Sequence, residues 1–344
     1  MLSFCTVITK DYLNQAMVLY KSIEKYHSGS SFYGLIIDGD SSNELYASLP
    51  FTTIFLDDLA IQNIDHMVVY YNAFELCNAV RPSLIKYLML HYGCCKVLYL
   101  DADIYVTGSF QEVSLLLDNC LFSFTPHITK PLPLDGQQPD DLQILQVGIY
   151  NSGFWMFRKH ERSLVMLDWL ISRFEIYCFD DLGRRMFCDQ KLLPMLVHLY
   201  REDFKCLDSP QYNVAHWNLF QRDIRRKDNQ YWIDNRPVVF FHFSGFNPDR
   251  PNRLTHHLHR MTAELLETIQ PILHEYSALL RKEDVAEEGS EEYRYSRDPQ
   301  TGMILDEFRR RYYFEHRTLE GVRKLERRRL LRKKLKSWLL LRLK

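Results

Sequence analysis

No CxxC pair and no framework of spacings links the eight cysteines, Cys5, Cys77, Cys94, Cys95, Cys120, Cys178, Cys188 and Cys206. That argues against a disulfide scaffold and for reduced thiols in the cytosol. The opening stretch MLSFCTVITKDYLNQAMVLYKSI has neither the basic start nor the long apolar run of a signal peptide. Nowhere does an apolar run approach the roughly 20 residues of a membrane span. The expectation is a protein that stays in the cytoplasm. Net charge is −1 over 344 residues, so nucleic acid is not expected as a partner on overall electrostatics. There is no internal repeat.

What is present is an alternation of strand and helix patterns. LSFCTVIT reads as a buried strand, and the helix after it is expected to be capped by Thr9 or Asp11. SFYGLIID and FTTIFL are further strands, ELCNAVRPSLIKYLMLHYG is a helical hairpin or a kinked helix interrupted at Pro82, and KVLYL is another buried strand. This order implies an α/β fold with a mostly parallel sheet flanked by helices, whose ligand sites lie beyond the carboxyl ends of the strands. GIYNSGFWMFRK reads as a strand carrying a turn, and RPVVFFHFSG as an apolar strand ending in a glycine turn. A long helix from Arg253 to Glu283 is expected to close the domain. Three parts follow: a domain over 1–282, an acidic polar linker over 283–307 and a basic amphipathic helical tail over 308–344. The tail carries 15 Lys and Arg against Glu315, Glu320 and Glu326, about +12.

The chemistry concentrates where KVLYL runs into Asp101, Ala102 and Asp103. Two carboxylates two residues apart point the same way, repel, and are relieved by a divalent cation. A lone pair of aspartates is more often a loop former or helix cap. Its company raises it: His242 follows a second buried strand, with Gly245 close behind. Imidazole and two carboxylates suit Mn²⁺ or Mg²⁺ gripping phosphate oxygens.

On these residues the chain resembles the metal-dependent GT-A glycosyltransferases, particularly the clan of glycogenin and the bacterial lipooligosaccharide galactosyltransferases. The resemblance runs from the N-terminus to about residue 260 and implies a GT-A fold. It places the metal of a nucleotide-diphosphate sugar, a UDP-sugar in the first instance, on Asp101, Asp103 and His242, with Gly245 beside the donor. TKDY resembles the clan's donor loop and implies Thr9 and a base-stacking Tyr12, which could equally be a helix-packing aromatic. A basic residue on the helix before the aspartates implies Arg81 or Lys86. YNSGFWMF implies Asn151 and Gly153 beside the sugar, and FCDQKLL implies Asp189 and Gln190 next to the transferred sugar, unless Asp189 only caps a helix. The chain departs from the clan where a Lys follows the glycine turn: GFNPDRPNR has Pro248 near that place and Arg250 beyond. YNVAHWNLFQR, with His216, Trp217 and Asn218, has no counterpart and suits sugar contacts or loop packing equally.

The function implied is hexosyl transfer, with retention, to a saccharide, lipid-linked or protein acceptor. One alternative is a non-catalytic sugar-nucleotide sensor or membrane adaptor. The other is a haloacid dehalogenase-type phosphatase, which the late position of the aspartates and the missing GDxxxD element disfavour. In the tail, Val322, Leu325, Leu330, Leu331, Leu335, Trp338, Leu339 and Leu343 share much of one helical face opposite the cations. That pattern implies peripheral docking on the anionic inner membrane face.

Overall fold

A computed structural model describes residues 1–255, 260–283, 285, 292–298 and 301–322. The strands are β1 (Leu2–Ile8), β2 (Ser31–Ile36), β3 (Thr52–Phe55), β4 (Lys96–Leu100), β5 (Ile104–Val106), β6 (Phe122–Pro126) and β7 (Tyr150–Arg158), then β8 (Asp180–Asp181), β9 (Met186–Phe187), β10 (Ile224–Lys227), β11 (Gln230–Ile233), β12 (Arg236–Pro237) and β13 (Phe240–His242). The main helices are α1 (Leu13–Glu24), α2 (Glu44–Ala47), α3 (Ile64–Tyr70), α4 (Ala73–Ala79), α5 (Arg81–His91), α6 (Gln111–Leu116), α7 (Asp141–Val147), α8 (Glu161–Tyr177), α9 (Leu193–Leu199), α10 (Ala263–Lys282) and α11 (Glu307–His316).

Six strands form the central sheet in the order β3-β2-β1-β4-β7-β6. The first four are parallel, and β7 runs antiparallel to both β4 and β6. A parallel strand covered on both faces must be apolar on both faces, and successive residues of each strand accordingly enter opposite layers. Cys5, Val7, Val97 and Tyr99 enter one core, while Phe4, Ile8, Leu98 and Leu100 enter the other. A third cluster packs α10 against the β10–β12 meander.

Local chemistry explains the breaks. Asn72 and Glu75 cap α4 reciprocally at 2.9 and 3.0 Å. Pro82 does not kink a helix: it sits in the first turn of α5, where its missing N–H is not needed. A 3₁₀ turn over Lys10–Tyr12 precedes α1, and neither Thr9 nor Asp11 caps that helix with its side chain. The expected strand with a turn is one continuous strand, β7, and the irregularity is a register shift between Phe124 and Thr125 opposite it. The closing helix begins at Ala263, not Arg253, because the Thr262 hydroxyl accepts from Leu265 N at 3.1 Å and so caps it there. Residues 256–259 of that expected helix lie outside the described residues.

The stretch expected as a linker, where described, is laid on the domain. Tyr293, Tyr295 and Met303 pack against the core and Leu305 is buried in it. Arg310 of α11, within the expected tail, is buried and donates to the carbonyls of Val68 at 3.2 Å, Val69 at 3.1 Å, Leu305 at 3.0 Å and Tyr71. These oxygens include the open C-terminal end of α3, which a guanidinium satisfies well. Val322, read as part of an apolar membrane face, is wholly buried in this core. The rest of that face, residues 323–344, lies outside the described residues. No helix among the described residues is long and apolar enough to cross a membrane.

Candidate active site

β4 carries the chain straight to Asp101, whose N–H donates to Gly153 O of β7 at 2.9 Å. Three residues later the chain enters β5, which pairs antiparallel with β13 so that Ile104 faces His242. That pairing sets an imidazole beside two aspartates 139 and 141 positions away in sequence. One ligand atom from each of Asp101, Asp103 and His242 lies within 4.8 Å of the others.

The His242 ring is oriented from behind. Its Nδ1–H donates to Asn213 Oδ1 at 3.0 Å, leaving Nε2 toward Asp103 Oδ1 at 3.1 Å and Asp101 Oδ2 at 3.9 Å. The 3.1 Å approach is an ion-pair contact, and Asp103 Oδ1 is a buried oxygen without a geometrically formed hydrogen bond. An orphaned carboxylate oxygen facing an aimed imidazole nitrogen is what a divalent cation would satisfy, and the O, O, N donor set fits one. Burial opposes charge on His242, but Asp103 and Asp101 outweigh it and raise its pKa. Burial likewise pushes Asp103 up, and His242 reverses this to hold it below the usual carboxylate range.

Arg81, at the start of α5, is the second centre of the site. It is buried, and its guanidinium donates to Asp101 Oδ1 at 2.5 Å, Asp189 Oδ2 at 2.7 Å and Ser152 O at 2.9 Å while lying over the Tyr99 ring at 4.7 Å. The Tyr99 hydroxyl donates to the same Asp101 oxygen at 2.6 Å. Burial works against the Arg81 charge, but Asp101, Tyr99 and Asp189 keep its pKa well above the ordinary value. Burial pushes the Asp189 carboxyl up to about 6, with Arg81 pulling it back. Asp189 follows Cys188 in the left-handed region, φ 44°. It does not cap α9, which has no side-chain cap, and its Oδ1 is buried without a partner.

Asn151 and Gln190 stiffen the floor. Asn151 Oδ1 accepts from Gly153 N and from Asn213 Nδ2, each at 3.0 Å. Gln190 Oε1 accepts from Ser152 N at 3.0 Å and Asn151 Nδ2 at 3.2 Å, and its Nε2 donates to Val147 O at 3.2 Å. Both Gln190 amide ends are therefore engaged with protein. His127 donates from Nδ1 to Gly148 O at 2.8 Å and accepts from Asn151 at Nε2 at 3.3 Å, so it is the neutral Nδ1–H tautomer.

Tyr12 stands half out to solvent, where partial burial first and then Asp103, Cys77 and Asp101 raise its pKa. Thr9 is buried at the end of β1, and Gly245 takes φ 70° in the exposed turn after His242. Arg250 lies exposed farther along the same loop. Lys86 is not brought to the cluster; it reaches Asp168 of α8 at 2.5 Å on the surface. Asn213, His127 and Ser152 were not anticipated. The one signal for Asn213 is its residue type, since Asn tolerates the left-handed φ of 53° it adopts. Its segment closes on the site: Trp217 packs edge-on between His242 and His127 with centroids 5.1 and 5.4 Å away, and Asn218 donates to His127 O and Asn213 O.

No family model matches the chain. It is 25% identical over 277 residues to the uncharacterized protein YfnF of Bacillus subtilis (strain 168), covering 79% of this chain and 89% of that one. YfnD of the same strain is 21% identical over 252 residues, 71% of this chain and 77% of its own. Among solved structures the chain is similar to the galactosyltransferase LgtC in complex with donor and acceptor sugar analogues, with a TM-score of 0.48, 17% identity, 81% of this chain and 95% of that one. It is also similar to the glycosyltransferase GlyE in Streptococcus pneumoniae TIGR4, with a TM-score of 0.43, 18% identity, 81% of this chain and 62% of that one.

Proposed function

We propose that this chain is a metal-dependent glycosyltransferase that moves a hexose from a nucleotide-diphosphate sugar, a UDP-sugar in the first instance, to a saccharide or lipid-linked acceptor, with retention. The carrying observation is the cluster of Asp101, Asp103 and His242 within 4.8 Å, joined through Asp101 to the buried Arg81–Asp189 pair. Asp101, Asp103 and His242 would hold Mn²⁺ or Mg²⁺, which when bound supplies positive charge to the departing diphosphate.

The chain's own residues do the rest. Arg81 holds one Asp101 oxygen and fixes a buried cation next to where the diphosphate would lie. Asn213 fixes the His242 tautomer, keeping Nε2 turned toward the aspartates. Asp189, with one oxygen on Arg81 and one unpartnered, faces the growing positive charge at the anomeric carbon. Asn151 and Gln190 hold Gly153 and Ser152 flat beneath the sugar, and Tyr12 stacks on the base with Thr9 beside it. The phosphatase alternative needs a free aspartate nucleophile, whereas Asp101 Oδ1 is held by both Arg81 and Tyr99. The basic stretch beyond residue 322 would hold the enzyme near a lipid-linked acceptor on an anionic membrane.

The test is thermal stability of the full chain with UDP-sugars, with and without Mn²⁺, beside donor turnover by Asp103→Ala and His242→Ala. A ligand that binds only the folded state raises stability. The expected result is a Mn²⁺-dependent rise and turnover that Asp103→Ala abolishes and His242→Ala reduces strongly, with folding kept. Full activity of Asp103→Ala in EDTA would refute the proposal.

A further inference from the structure

We infer that the segment after α10 completes the nucleoside end of the cleft, with Tyr293 and Asp38 together binding the polar edge of the donor's nucleoside. This rests on the glycosyltransferase reading above, and it assigns to this chain's C-terminal segment a part in donor recognition.

The segment is fixed at both ends of the stretch that matters. Arg294 Nη1 donates to Gly39 O at 3.1 Å, pinning it against the carboxyl end of β2. Arg310 donates to Tyr295 O at 2.5 Å while its other bonds lock α11 to the end of α3. Next to Gly39 lies Asp38, a buried carboxylate whose Oδ1 accepts from Lys10 N at 2.8 Å, in the loop that also carries Thr9 and Tyr12. Its Oδ2 is buried with no hydrogen-bond partner, and the Tyr293 hydroxyl is buried and unpartnered in the same way.

Asp38 and Tyr293 are the chain neighbours of the Gly39–Arg294 contact, and an orphaned polar atom on each is costly unless a ligand satisfies it, because each has given up water and received nothing. Burial raises the pKa of the Cys77 thiol of α4, with Arg81 pulling it back and Asp38 and Asp101 adding to the rise. The Tyr293 hydroxyl is raised mainly by burial and by Cys77, with Arg310 opposing and Asp38 adding.

The sheet sets the scale. β2 is two strands from β4 in the order β3-β2-β1-β4, about 10 Å at the usual spacing. That is the reach of a nucleoside whose diphosphate lies at Asp101, Asp103 and His242. Asp38 Oδ2 can only accept when ionised, and the phenol donates or accepts. Together they match an N–H or O–H donor beside an acceptor, the pattern of a pyrimidine imide or of a ribose diol.

The experiment is calorimetric titration of the full chain in MnCl₂ with UDP, 2′-deoxy-UDP and, as a nucleoside-free probe, pyrophosphate. Tyr293→Phe removes one hydroxyl and keeps the packing, and Arg294→Ala frees the segment from Gly39. Each is expected to weaken UDP about 10-fold while leaving pyrophosphate unchanged. If Tyr293→Phe no longer distinguishes UDP from 2′-deoxy-UDP as wild type does, the hydroxyl reads the ribose; if it does, the base. Either result supports the inference. Wild-type UDP affinity in both variants, or equal loss of UDP and pyrophosphate, would overturn it while leaving the function standing. A wild-type chain that binds neither probe in Mn²⁺ would instead overturn the function, and this inference with it.

Discussion

Gly153→Ala is the sharpest single perturbation of this site. Gly153 lies inside β7 in ordinary strand conformation, so an alanine there meets no backbone objection. The added methyl would stand 2.3 Å from His242 Cε1, 2.8 Å from Asp101 Oδ2 and 3.0 Å from Asn151 Oδ1. Carbon atoms pack at about 3.5–4.0 Å, so the imidazole must retreat by roughly 1.2 Å or more. It has nowhere easy to go, being 4% exposed, hydrogen-bonded to Asn213 and backed by Trp217. Overpacking of this kind costs about 1–3 kcal/mol of stability. A misplacement of about 1 Å in a reacting constellation costs about 100-fold in rate, or about 2.7 kcal/mol. The expected outcome is therefore a folded protein with a somewhat lower melting temperature, Mn²⁺ affinity and kcat/KM for donor turnover each down by about two orders of magnitude. The assay is Mn²⁺ titration of donor hydrolysis, with melting followed in parallel. Turnover within threefold of wild type at saturating and at limiting Mn²⁺ would refute the argument that His242 and Asp101 close on Gly153.

Three further outcomes are expected. Burial holds the His127 pKa down at about 4, against about 6.5 in the unfolded chain, so the unfolded state binds the proton more tightly. The corresponding stability, about 3 kcal/mol, is fully present above pH 6.5 and lost as pH falls toward 4; urea unfolding of His127→Gln across that window should lack this slope, and an identical slope would refute the assignment. Tyr12→Ala should raise KM for the donor far more than it lowers kcat, because stacking serves ground and transition states alike; an unchanged KM would remove Tyr12 from the site. Arg310→Met strands the carbonyls of Val68, Val69 and Tyr71 at a cost of about 3 kcal/mol. It should open residues 292–322 to limited proteolysis, and an unchanged melting temperature and digestion pattern would refute the docking of that segment.

Much of the architecture is legible in linear order because it rests on local rules. Apolar runs such as LSFCTVI and KVLYL, with helical periodicity between them, specify strands covered on both faces and hence a parallel sheet. Asp101 and Asp103 declare themselves because charge at the end of such a strand is chemically conspicuous, and His242 stands out in the same way at the end of β13. Pro82 marks a helix boundary under either reading, although only the cap geometry distinguishes a kink from a first turn.

What the chain order does not contain is which distant groups satisfy one another. Asn213, His127 and the Ser152 carbonyl enter the site through hydrogen bonds spanning 29, 24 and 71 positions, and nothing in QYNVAHWN or TPHITK advertises those partners. Arg81 and Lys86 are both cations on α5, and only the fold turns one into the buried partner of Asp101 and Asp189 and the other out to Asp168. The acidic composition of 283–307 suggests a solvated spacer, yet Tyr293, Tyr295, Met303 and Leu305 find apolar surface on the domain. Composition averages over a segment, whereas burial is decided side chain by side chain by the surface that the rest of the fold presents.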